Sequence, residues 1–150
     1  MNSLPPEDRP DVIQIGTVTI PIHYDDDPRF DDERAAWSAA QSKAAALHSA
    51  DELLAGIEGD DWRVRHESIP RLAARARDDK RTPHALIRRL EVDPSWEVRD
   101  FAAMTLSTFE LGAVTDALLA AENDPHPEVR QSVQYSLFQR GLRPPPDADT

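Results

Sequence analysis

Asp93-Pro94-Ser95-Trp96-Glu97-Val98-Arg99 recurs downstream as Asp124-Pro125-His126-Pro127-Glu128-Val129-Arg130. It recurs upstream, in reduced form, as Asp60-Asp61-Trp62-Arg63-Val64-Arg65. The leading aspartates are 33 and then 31 residues apart. Self-similarity at this period marks a helical repeat array, in which each unit buries its apolar face only by stacking on its neighbours.

Working outward, each unit reads as a helix, a turn containing Asp, and a second helix opening with Val-Arg. In the first helices, Leu53/Leu54/Ile57 corresponds to Leu86/Ile87/Leu90 and Ala117/Leu118/Ala121. In the second helices, Val64/Ser68/Leu72 corresponds to Val98/Ala102/Leu106 and Val129/Val133/Leu137, an i, i+4, i+8 spacing that makes one helical stripe. The first unit aligns if one residue is deleted between Asp60 and Val64. The units then span about 50–77, 83–109 and 112–141. Thr82-Pro83 reads as an N-cap followed by Pro at the first helical position. Asp93-Pro94 and Asp124-Pro125 end the preceding helices, because Pro disfavours helix in the residue before it. Pro70 lies deep inside a second helix, where it costs about 3 kcal/mol or forces a kink.

Ahead of the repeats, the alanine-rich stretch 32–47 predicts a helix capping one end of the stack, with Trp37, Ala40, Ala44 and Leu47 on one face. Ser49-Ala50-Asp51-Glu52 has the capping-box pattern and starts the next helix. Residues 12–31 read as a short β-hairpin or an extended arm, from the β-branched run Val12 to Ile22 around Gly16-Thr17. Residues 1–11 read as a disordered lead and 142–150, with Pro144-Pro145-Pro146, as a disordered tail. The acidic run Asp25-Asp26-Asp27 and Asp31-Asp32-Glu33 answers the positive end of a helix dipole. Its spacing does not follow a calcium loop, so no metal is assigned.

Composition narrows the function classes. With no cysteine among 150 residues, disulfides, thiolate catalysis and Cys-based zinc sites are excluded. No secretory signal and no membrane span is visible, so a cytoplasmic location is expected. The net charge of −11 is uneven: residues 1–61 carry −10, residues 62–110 carry +2 and residues 111–150 carry −3. An acidic chain repels phosphate backbones, which makes nucleic acid an unfavoured partner. Fifteen arginines against two lysines point to a bacterial source with a GC-rich genome.

The pattern Asp-Pro-x-x-x-Val-Arg followed by small and apolar residues resembles the HEAT repeat, especially the short bacterial variety found in chromophore lyases. The resemblance covers about residues 50–141. It implies an all-α fold, a short right-handed α-α superhelix of three helix pairs. It also implies a ladder between neighbouring repeats, here Asp60, Asp93 and Asp124 with Arg65, Arg99 and Arg130. Such repeats imply non-catalytic protein binding, as an adaptor, scaffold or immunity-type protein, by a monomer or homodimer with no cofactor.

Two other chemistries compete with that reading. His66-Glu67 resembles the His-Glu pairs of deoxyhypusine hydroxylase, a HEAT-repeat enzyme with a di-iron site. The matching positions here are Asp100-Phe101 and Gln131-Ser132, and one pair does not cage two irons. A cluster including Arg71, Arg75, Arg88 and Arg89 suits a phosphate ligand or nucleic acid, as on HEAT-like glycosylases. Lyase-like action on a small ligand is the remaining enzymatic alternative. The candidate surface is therefore His66, Glu67, Arg71, Arg75, Arg88, Arg89 and Tyr135, where the repeats differ. If Arg99 is a joint between repeats, Arg99→Ala lowers the unfolding free energy by roughly 1–3 kcal/mol, through polar groups left unpaired. An unchanged denaturation midpoint contradicts the joint.

Overall fold

The computed structural model describes residue 8 and residues 12–15, 17–21 and 28–146. The expected disordered lead (Asp8 apart), the Asp25–Asp27 cluster and the last four residues of the expected tail lie outside the described residues. The chain divides into two compact units, Met1–Trp37 and Ser38–Thr150. In the first, strands β1 (Val12–Ile15) and β2 (Val18–Pro21) pair antiparallel, with Val12 opposite Pro21 and Ile15 opposite Val18. Gln14 Nε2 donates to Thr19 Oγ1 across the pair at 2.6 Å.

Among the described residues seven α-helices follow: α1 (Asp31–Ala45), α2 (Ala50–Gly56), α3 (Trp62–Arg75), α4 (Arg81–Val92), α5 (Trp96–Leu106), α6 (Gly112–Ala120) and α7 (Pro127–Gln139). Helix α2 starts on a complete capping box: Ser49 Oγ accepts from Glu52 N, and the Glu52 carboxylate accepts from Ser49 N and His48 N. Just past α7, Gly141 N donates to Phe138 O, and the Gly141 φ of 72° turns Leu142 N back to Leu137 O. That left-handed turn is open to glycine without steric cost.

From α2 onward the helices form three antiparallel pairs, α2/α3, α4/α5 and α6/α7. The second helices α3, α5 and α7 make one layer, with the first helices against it. This is an all-α, solenoid-like stack. One continuous core runs through it: Leu53, Ile57, Ile69 and Leu72 pass to Leu86, Leu90, Val98 and Leu106, then to Val114, Leu118, Val129 and Leu137, all at most 1% exposed. The stripe positions Ser68, Ala102 and Val133 are fully buried, and Val64 is half-buried. Small residues set the approach where helices meet. A Cβ on Gly56 would stand 2.5 Å from Leu47 Cδ1 and 2.8 Å from Ser68 Oγ.

The pairs are laced by a ladder. Arg65 donates Nε and Nη2 to the two oxygens of Asp93, both at 2.8 Å, and Nη1 to the carbonyls of Gly59 and Asp60. Arg99 repeats this one unit on, with Nε and Nη2 to Asp124 at 2.8 and 3.0 Å and Nη1 to the carbonyls of Asp93 and Pro94. Arg130 places Nη1 on the carbonyls of Asp124 and Pro125 at 2.7 and 3.1 Å. All three forks close their own turns, and those of Arg65 and Arg99 also clamp the aspartate of the next.

This geometry corrects the alignment of the first unit. Asp61, Ser95 and His126 are the N-caps of α3, α5 and α7, so the carbonyls that Arg65 holds make Gly59 the counterpart of Asp93 and Asp124. The one-residue difference lies between Ile57 and Gly59, not between Asp60 and Val64. Asp60 enters the ladder through its backbone carbonyl, and its side chain is exposed. No earlier second helix in the described stack carries an arginine that would need a carboxylate there. Thr82 is likewise not an N-cap. Helix α4 begins at Arg81, Asp79 Oδ1 accepts from Arg81 N, and the buried Thr82 hydroxyl donates to Ala76 O. Helix α3 runs unbroken through the exposed Pro70, while Arg71 Nη1 donates to Glu67 O on the turn that Pro70 crowds.

Asp93 is the busiest rung. Besides Arg65 it accepts from Arg89 Nη1 at 3.1 Å and from Ser95 N at 3.0 Å, and it is 2% exposed. Removing its carboxylate strands two buried guanidiniums, whereas Asp124 holds only one. Asp93→Ala is thus expected to cost about 3–5 kcal/mol, and more than Asp124→Ala. Equilibrium denaturation of the two variants checks both the size and the order.

Candidate functional site

The row α3, α5, α7 brings equivalent positions of the three units side by side. With Val64, Val98 and Val129 in register, His66 stands beside Asp100 and Gln131, and Glu67 beside Phe101 and Ser132. Pro70 falls in line with Met104 and Tyr135. These last three are exposed, Met104 at 45% and Tyr135 at 49%. Equivalent positions on stacked parallel helices point the same way, so an apolar line crosses the row. Phe138, 40% exposed, lies 6.4 Å from Tyr135 between ring centroids and widens the line on α7.

Beside this line runs a half-buried polar strip. The His66 ring stacks on Phe101 with centroids 4.5 Å apart, and its Nδ1 is 3.9 Å from Glu67 Oε1. Burial holds the His66 pKa below the usual value, against the pull of Glu67, Glu97 and Asp100, which favours the neutral ring. Asp100 accepts a hydrogen bond from Ser132 Oγ. Burial raises its pKa above the usual carboxylate range, the Ser132 hydroxyl opposes this, and the like charge of Glu128 adds to it. Phe101 stands where a second His-Glu pair would need a ligand. Among the described residues, no group of three or more His, Asp and Glu side chains is placed to hold a metal ion.

The arginines of the candidate surface do not meet as one patch. Arg71 pairs with Glu67 at 3.3 Å, and Arg75 donates to Leu47 O at 3.1 Å, tying the end of α3 to the α1–α2 connection. Arg88 lies 3.8 Å from Glu58, and Arg89, 7% exposed, bridges Glu58 and Asp93. Two arginines outside that set act alike. Arg77 donates to Thr108, and Arg81 joins Asp79 and Asp51, holding the Asp79 carboxyl down at about 2. These six arginines are separate fasteners, each with a carboxylate or carbonyl partner.

Met104 is the surface residue that motif reasoning passes over. Its only signal is register, because it occupies the place of Tyr135 one unit earlier. A groove lined by Trp62, Trp96, Asp60, Arg65, Pro94 and Glu97 opens beside the ladder, and Trp96 stacks on His126 at 4.0 Å between centroids. The two tryptophans are half-buried, Trp96 against the next unit's N-cap.

Three helix pairs sharing one core and closed by Arg–Asp rungs define a helical-repeat protein of the α-solenoid class. The family model described as HEAT repeats matches residues 50–138, and the chain belongs to that family. Neither a curated protein nor a solved structure matches it. HEAT repeats commonly serve as protein-interaction scaffolds. Among the described residues, no helix is long and apolar enough to cross a membrane.

Asp100 supplies a test of the surface electrostatics. Its folded pKa is raised, so folding favours the protonated carboxyl. Its contribution to stability is present below the ordinary carboxylate pKa and is lost as pH rises through the folded value. Asp100→Asn, which retains an acceptor for Ser132, should therefore raise the melting temperature at pH 7 and leave it nearly unchanged at pH 3. Thermal melts at the two pH values read this directly.

Proposed function

We propose that this chain is a non-catalytic protein-binding module of the adaptor, scaffold or immunity type, and that it binds through the row of second helices. The observation that carries this reading is the exposed line Pro70, Met104 and Tyr135, flanked by His66, Glu67 and Asp100. Residues repeated between units are consumed inside the stack, as core or as rungs. Pro70, Met104 and Tyr135 differ between equivalent positions and stand exposed on this face, where variation costs little packing. An apolar line rimmed by polar groups is the composition of a protein-binding patch. Asp100 remains ionisable in a half-buried place that disfavours its charge, which suits a cationic side chain on the partner.

Anion binding by Arg71, Arg75, Arg88 and Arg89 has less support, because their guanidiniums already hold carboxylates or carbonyls and the chain as a whole is acidic.

Met104→Glu and Tyr135→Glu alter exposed positions, so each should change stability by no more than about 0.5 kcal/mol. Each is expected to abolish retention of a partner protein that the tagged wild-type chain captures and that is identified by mass spectrometry. Retention of that partner by both variants at the wild-type level contradicts the assigned face. Salt-resistant DNA binding in a gel shift at near-physiological ionic strength, or turnover of an added chromophore, contradicts the function class.

A further inference from the structure

The three ladder arginines carry the same fork in two states. In Arg65 and Arg99, Nη1 holds two carbonyls of the arginine's own turn, while the Nε/Nη2 edge clamps an aspartate of the next unit; both guanidiniums are largely shielded. In Arg130, Nη1 holds the equivalent carbonyls of Asp124 and Pro125, so the fork is oriented in the same way. Its Nε/Nη2 edge meets no carboxylate among the described residues, and the residue is exposed.

The surrounding surface of α7 is equally open. Gln131 occupies the place from which His66 stacks on Phe101 and Asp100 bonds Ser132 in the earlier units, and it is exposed, as are Gln134 and Phe138. From Arg130 to Gln139 the helix carries one cation and no acid.

We propose that the Arg130 fork and the outer face of α7 form a docking end for a protein partner that presents an aspartate two residues ahead of a helix N-cap. The chemistry follows from the two filled forks. Both occupants are aspartates whose Oδ1 also accepts the backbone N–H two residues on, from Ser95 at 3.0 Å and His126 at 2.9 Å. That bond orients the carboxylate for a bidentate clamp in the turn just ahead of a helix. A single cation on a neutral, partly apolar face complements one such carboxylate. A second copy of this chain fits less well. Its first pair offers Gly59 at the register position, and the α7 face from Gln131 to Gln139 has no acid for a face-to-face dimer. The inference rests on the protein-binding reading above and adds the chemistry of what is bound at this end.

The test places the photo-crosslinking residue benzoylphenylalanine at Gln131 of the full chain, and separately at Met104, and irradiates each in lysate of the source cells. The expected result is a partner crosslinked from Gln131 beside an aspartate in the turn just ahead of one of its helices. Arg130→Ala and Arg130→Lys should each lower that yield at least about tenfold, since Lys keeps the charge and lacks the fork. Substituting the partner's aspartate by Asn should do the same, and Arg143→Ala, whose guanidinium pairs with Glu122, should not. Circular dichroism establishes that each variant is folded, and Arg130→Lys decides the matter if Arg130→Ala melts early. No crosslink from Gln131, a yield indifferent to both Arg130 variants, or a crosslink to a second copy overturns the proposal. Capture from Met104 without capture from Gln131 overturns the docking end and leaves the protein-binding reading standing.

Discussion

The bidentate hold of an arginine fork on the aspartate of the next turn is the constraint on which the stack depends. Apolar burial between helices is strong but tolerant of sliding, because Leu and Val stripes fit one another in more than one register. The rung is not tolerant. A planar guanidinium that satisfies two carbonyls of its own turn has one edge left, and that edge fixes where the neighbouring carboxylate must be. Arg65 on Asp93 and Arg99 on Asp124 therefore set the step between units.

The rungs also explain how an interior can hold so much charge. Arg65, Arg89 and Asp93 are 5, 7 and 2% exposed, a burial that would be costly for any of them alone. Together they close a nearly complete set of hydrogen bonds with Glu58, Ser95 N and two carbonyls of the α2–α3 turn. Asp124 has a lighter load. Burial works against its charge, but Arg99 and the His126 N–H outweigh it and hold its carboxyl below the ordinary range. The lighter rung is the last filled one, and Arg130 beyond it faces outward.

Repeated and unrepeated residues divide the labour in the stack. Repetition marks what every joint needs: an apolar stripe, Val-Arg at the start of the second helix, and aspartate where an arginine precedes it. Departures from repetition stand on the outer face of the row, at Pro70 against Met104 and Tyr135, and beside it at His66 against Asp100. The basic segment shows why sequence clustering misleads here. Arg71, Arg75, Arg88 and Arg89 are close in the chain, yet they diverge to Glu67, Leu47 O, Glu58 and Asp93, because successive helices turn them to different neighbours.

Much of this was legible in the amino-acid order. A period of just over thirty residues, helical spacing of the apolar positions and Asp-Pro turns determine three helix pairs with a shared core, since no single pair buries its own stripe. The capping box at Ser49 and the rung partners Asp93 and Asp124 follow from local chemistry and recurrence. What tertiary structure alone decided is which atoms meet. Gly59 rather than Asp60 takes the first turn position, because Arg65 selects carbonyls, and a carbonyl carries no mark of residue type. Thr82 turns inward to Ala76 O instead of capping its helix, because the α3–α4 connection brings that carbonyl within reach. Met104 joins Tyr135 on one face only when helices thirty residues apart are laid side by side, a proximity that linear spacing does not display.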